Sequence, residues 1–244
     1  MKRNSVGKGL PVLTLGLGMA AFLLRVLLYG MAVDVKGLLL RHHPLEIALT
    51  VLTVLVLLAV AAAARLMNPG PRKESASLAA AFGTVAAASG ILTTVLTTNP
   101  GMGGYLAIAW RYLGLAAPVC LLLAGFARAL GKRPGFLLYV VACLFFVLHI
   151  VTRYQMWSGN PQMQDYVFSL LGAMALMFFG FYRAAWYADC GSLRMSAGTG
   201  LAAIYLCTAE LARSSCPVLY LGGILWVLTE LCSLFNSPVS EETE

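Results

Sequence analysis

Seven ionisable residues of this 244-residue chain lie in or at the edge of long apolar stretches: Arg25, Glu46, Arg111, His149, Arg153, Asp165 and Glu210. A charge at the centre of a lipid-embedded helix costs about 2.5–3.5 kcal/mol on insertion scales, so each calls for a partner or a wet cavity. His149 and Arg153 are four residues apart and share a helix face. Arg25 falls about 21 Å along its stretch and Arg111 about 9 Å into its own, at 1.5 Å per residue. All seven then converge on the outer third of the membrane. With Tyr166 and the surrounding Tyr105, Trp110, Tyr112, Tyr154 and Trp157, they read as a polar pocket that opens outward and fixes a small ligand. The competing reading makes them arginine–acid ties between helices, terminal charges that snorkel to headgroups, and an interfacial aromatic belt. Glu230 stands apart toward the inner third. It is expected either to pair with Arg128 or Arg183 or to serve as a proton- or ion-coupling carboxylate.

Several chemistries fail for want of residues. A covalent retinal needs a lysine within a span, and Lys2, Lys8, Lys36, Lys73 and Lys132 all flank the apolar stretches. A transmembrane haem needs axial histidines on facing helices, and only His149 lies inside one. There is no HExxH, Walker loop or pair of membrane aspartates, and Ser89-Gly90 alone is too little for a membrane serine nucleophile. His42-His43 reads as a solvated loop. The six cysteines show no metal-ligand spacing and read as small buried hydrophobes, with Cys216 alone expected at the outer surface. No cofactor, metal or nucleic-acid partner is implied.

The elements that must position these residues follow from composition. Hydrophobic residues make up 60% of the chain and charged ones 11%, against about 25% charged in a soluble domain. The solvent is therefore lipid. A hydrocarbon core of about 30 Å takes about 20 helical residues. Eight stretches of about that length are predicted: Pro11–Val33, Leu45–Met67, Ala76–Thr98, Tyr105–Ala129, Gly135–Tyr154, Asp165–Tyr187, Met195–Ala212 and Pro217–Phe235. Turn chemistry at Asn68-Pro69, Asn99-Pro100, Gly131 to Pro134, Asn160-Pro161 and Ser214 to Pro217 separates them. The fold class is an all-α, polytopic transmembrane bundle in one domain, with seven spans as the alternative because the seventh stretch is the shortest. The first stretch exceeds a signal-peptide core and reads as an uncleaved span.

The net charge of +7 reads first as loop charge that sets topology. Lys2, Arg3, Lys8, Arg65, Arg72, Lys73, Arg128, Lys132, Arg133, Arg183 and Arg194 fall on one side, against Lys36, Arg41, Arg153 and Arg213 on the other. Positive residues stay inside, so both termini are expected in the cytoplasm, including the acidic tail of Glu241, Glu242 and Glu244. The third stretch, with Ala79, Ala80, Ala81, Gly83, Ala86, Ala87, Ala88 and Gly90, is small enough for backbones to approach and is expected to be central and closely packed.

The segment RYQMWSGNPQMQDYVFSLLGAMALMFFGFYRAAW, from Arg153 to Trp186, and the later PVLYLGGILWVLTELCSL resemble a group of uncharacterised multi-pass membrane proteins of clostridial Firmicutes. The resemblance covers roughly residues 105–234 and implies a Gram-positive plasma membrane, with no activity attached. Two functions are then in view. One is a small-solute transporter or substrate-binding permease component, which an outer cavity lined by Arg111 and His149 would favour. The other is a non-catalytic interaction or sensory subunit, which a filled, ion-paired plug would favour. The sharpest geometric expectation is a hairpin between the fifth and sixth spans in which Arg153 pairs with Asp165 and holds His149 toward the bundle.

Overall fold

A computed structural model describes residues 3–31, 43–67, 77–98, 104–158 and 166–236. Asp165, the Asn160-Pro161 turn, His42 and the acidic tail lie outside the described residues. Eight α-helices follow in chain order: α1 Arg3–Met31, α2 Pro44–Leu66, α3 Leu78–Thr97, α4 Tyr105–Ala129, α5 Phe136–Trp157, α6 Val167–Tyr187, α7 Leu193–Glu210 and α8 Pro217–Asn236. They match the eight predicted stretches closely, and the main difference is that α1 begins before Pro11. A 3-10 turn at Leu211–Arg213 closes α7.

Seven of these helices are long and apolar enough to cross a membrane, and α7 is the exception. Its 18 residues span about 27 Å, so length is adequate. Its composition differs because its surroundings differ: thirteen of the eighteen residues are buried, among them Ser196, Gly200 and Thr208. α7 packs on α1, α2, α6 and α8. A helix that faces protein on most sides needs little lipophilic surface. α2 is the reverse case, the most hydropathic of the seven and the least buried.

Helices α3 to α8 pack in sequence, and α8 returns to α3, so the six close a ring. α1 and α2 lean on the outer side of α7. Trp226 of α8 occupies the ring interior, edge-on to Phe179 of α6 at 5.1 Å and parallel to Tyr139 of α5 at 6.3 Å. The alanine- and glycine-rich α3 packs closely, as its composition suggests, but against α8 and α4 at the periphery of the bundle. The central place belongs to α7. A Cβ on Gly90 would meet the Val218 carbonyl oxygen at 2.7 Å, and one on Gly83 would meet the Trp226 Cα at 2.9 Å. Backbone therefore sits on backbone along this pair, the arrangement that dispersion favours where lipid removes any hydrophobic drive between helices. At the end of the bundle expected to be the inner one, an exposed Arg133–Asp189 contact of 3.2 Å ties the α4–α5 turn to the α6–α7 turn.

Candidate functional site

Buried charges gather at two levels. At the level expected to be the outer one, Arg25 of α1 and Glu210 of α7 are 2% and 3% exposed, and Nη1 donates to Glu210 Oε2 at 2.7 Å. The same nitrogen donates to the Ala209 carbonyl at 2.9 Å. The guanidinium lies 4.7 Å from the Phe168 ring centre, and Tyr29 is covered by Arg213 at 4.4 Å. One charge-assisted bond in so dry a place holds the end of α1 to the end of α7. Beside it the Ser169 hydroxyl meets the Tyr220 hydroxyl at 2.7 Å, and Tyr220 donates to the Ser169 carbonyl at 2.9 Å, which joins α6 to α8.

Among the described residues, His149, Arg153 and Tyr166 make contacts of their own, and the Arg153 charge also acts on Glu210. His149 is buried, stacked with Trp110 at 6.4 Å and close to Phe145 at 5.8 Å. Its Nδ1 and the Trp110 Nε1 have no hydrogen-bond partner among the described residues. Arg153, on the same α5 face, donates to Cys216 Sγ at 2.7 Å and lies 5.5 Å from the Trp157 ring. Cys216 is 6% exposed, so the expectation of a surface cysteine is corrected: Arg153 covers it. Tyr166 stacks on Trp157 at 4.1 Å and brings the start of α6 to the end of α5. Asp165, the expected partner of Arg153, lies outside the described residues. Glu46 sits half-buried in the first turn of α2, where its charge faces the positive helix end.

Arg111 is exposed on the outside of α4. The buried stripe of that helix runs through Trp110, Gly114, Ala117, Leu121, Ala124 and Arg128. Arg111 follows Trp110 and is therefore turned about 100° away from the bundle. Arg111 and His149 thus meet different surroundings, the first on the outside of the bundle and the second within it.

The inner level is richer than the sequence suggests. Glu230 of α8 is 1% exposed, and its Oε2 accepts from Arg183 Nη2 of α6 at 2.7 Å and from Arg128 Nη2 of α4 at 3.4 Å. Both expected partners are thus engaged at once. Arg128 also donates to Ser233 Oγ at 3.2 Å, and Arg183 to the Tyr187 hydroxyl at 2.8 Å. Tyr139 stacks on Tyr187 at 5.2 Å and on Trp226, which lies one turn from Glu230 on the same face of α8. Glu230 Oε1, Trp226 Nε1 and the Tyr139 hydroxyl have no hydrogen-bond partner among the described residues. Groups that deeply buried are satisfied by water or a small guest in most proteins. Sequence reading placed Glu230 here but missed Tyr139, Tyr187 and Trp226, although the four-residue spacing of Trp226 and Glu230 was visible.

All six cysteines are free. Among the described residues no three His, Cys, Asp or Glu side chains gather into a metal site. No family model matches the chain, and neither a curated protein nor a solved structure matches it.

Proposed function

We propose that this membrane-embedded chain is a non-catalytic component that works through contacts made within the bilayer, as an interaction or sensory subunit. The observation that carries this reading is the state of the outer charges. Arg25 and Glu210 close on each other at 2.7 Å, Arg153 lies on Cys216, His149 lies under Trp110, and Arg111 faces out. Such an end resembles an ion-paired plug more than the mouth of a ligand pocket. The one-sided distribution of lysine and arginine supports cytoplasmic termini, and a Gram-positive plasma membrane is proposed only from the resemblance read in residues 105–234. Reconstitution tests the role. The purified chain should leave liposome permeability to amino acids, sugars and small organic anions unchanged, and mild detergent should extract it with a second component in fixed ratio. Saturable uptake by the chain alone would overturn the reading.

A second reading, the small-solute transporter or permease component, is supported by the inner cluster. Glu230 Oε1, Trp226 Nε1 and the Tyr139 hydroxyl offer an acceptor and two donors in a dry place. Transporters hold substrates and coupling ions deep in the bilayer at such points. If this reading holds, the uptake seen in that assay is lost in Glu230→Gln.

A further inference from the structure

A cleft of about 240 Å³ opens between α1 and α2 with α7 as its floor. Leu10, Leu13 and Leu17 form one wall, Leu55, Ala59 and Ala63 the other, and Leu201 lies in the floor. The polar side chain in its lining, Thr14, has its hydroxyl engaged by the Leu10 and Pro11 carbonyls at 3.0 and 2.9 Å. Its proton is thereby taken, so the lining offers a guest no side-chain donor and favours an apolar one.

Size selects the shape of that guest. Two turns of an α-helix about 10 Å across fill about 850 Å³, more than three times the cleft. A partner helix does not enter, but a linear hydrocarbon chain does. From Leu10 to Leu17 the cleft runs about 10 Å along α1, which is most of one leaflet's half of a core about 30 Å thick. Its closed side lies where α2 and α7 touch, since a Cβ on Gly198 would come within 2.8 Å of the Ala64 Cβ.

Charge selects the headgroup. Arg65 is exposed, two residues beyond Ala63 at the basic end of α2. A cation at the rim of an apolar slot attracts an anionic headgroup, by about 1 kcal/mol for each arginine near the surface. We infer that the α1–α2–α7 cleft is a binding site for one anionic phospholipid of the leaflet at the basic end, with an acyl chain in the slot and its phosphate at Arg65. The inference rests on the chain residing in a bilayer and not on which of the two readings above holds.

Native mass spectrometry of the full chain tests it, with phosphatidylglycerol and phosphatidylcholine of identical acyl chains as probes. The wild type should retain one phosphatidylglycerol about fivefold better than phosphatidylcholine, a ratio equal to about 1 kcal/mol. Ala59→Trp, at an exposed position of the wall, should fill the slot and lose both lipids. Arg65→Gln should keep the chain but lose the headgroup preference. Leu55→Gln, also exposed, gives a second variant that makes the slot polar without adding bulk, and it too should lose both. Equal retention of the two lipids by the wild type, or unchanged retention in both slot variants, would overturn the site. So would a protein partner whose binding is blocked by Ala59→Trp while lipid retention is not.

Discussion

Glu230 uses one oxygen to bind two guanidiniums from different helices, so its charge acts on α4, α6 and α8 together. Glu230→Gln keeps the shape and removes the charge that both arginines share. Breaking a buried ion pair by removing one partner costs about 3–5 kcal/mol. Unfolding in detergent, followed by tryptophan fluorescence, should show a loss of that order; a loss below about 1 kcal/mol would mean that the contact behaves as a solvated pair. Arg25 and Glu210 make a different case, because each has a close partner in the other at 2.7 Å. Glu210→Ala leaves an arginine within the bundle, at about 2.5–3.5 kcal/mol. Arg25→Met together with Glu210→Leu should cost less than the two single changes summed, since hydrophobic isosteres often replace a buried pair without loss. Additive losses in a double-mutant cycle would deny the coupling.

At the scale of elements, the outcome shows what a sequence can say about a membrane bundle. Hydropathy measures contact with lipid, so it found α2 easily and left the seventh stretch in doubt. α7 proved the helix with the most extensive burial along its length, rich in small and polar residues because protein covers it. The glycines of α3 announced close approach but not its location, since composition does not say which neighbour a small face meets. The Glu230 ties were legible because span direction alone put Arg128 and Arg183 at the same inner end. The Arg25–Glu210 tie was not, as it joins residues 185 apart in the chain and needs α1 beside α7. Arg111 went astray because its depth was considered and its position around the helix was not. The α3–α8 contact carries its own prediction. Gly90→Ala forces a methyl toward the Val218 carbonyl and should cost about 1–3 kcal/mol by overpacking. Gly16→Ala, where nothing lies within 4 Å, should be neutral or slightly stabilising, because alanine loses less entropy in a helix. Equal effects of the two in thermal unfolding would contradict the close crossing.

Across the whole molecule, the buried charges pin different helices at opposite ends: α1 to α7 at the outer level, and α4, α6 and α8 at the inner. The inner tie crosses the interior of the ring of α3 to α8, whose closure rests on the α3–α8 backbone contact, while α1 and α2 stay at the margin with broad lipid-facing surfaces. Charge predicts which level faces the cytoplasm. The inner end carries Arg65, Lys132, Arg133 and Arg194, and positive residues near span ends resist translocation. Cys190, exposed in the turn between α6 and α7, is a native reporter of that choice. In a variant that keeps Cys190 and replaces the other five cysteines by alanine or serine, a membrane-impermeant maleimide should leave intact cells unlabelled. Label should appear once the membrane is opened. Because Arg133 and Asp189 hold the neighbouring inner turns together, a cysteine placed at Lys132 should behave as Cys190 does. If both positions react in intact cells, the bundle is inverted and the basic loops lie outside; if they react on opposite sides, the pairing of helices across the ring is wrong.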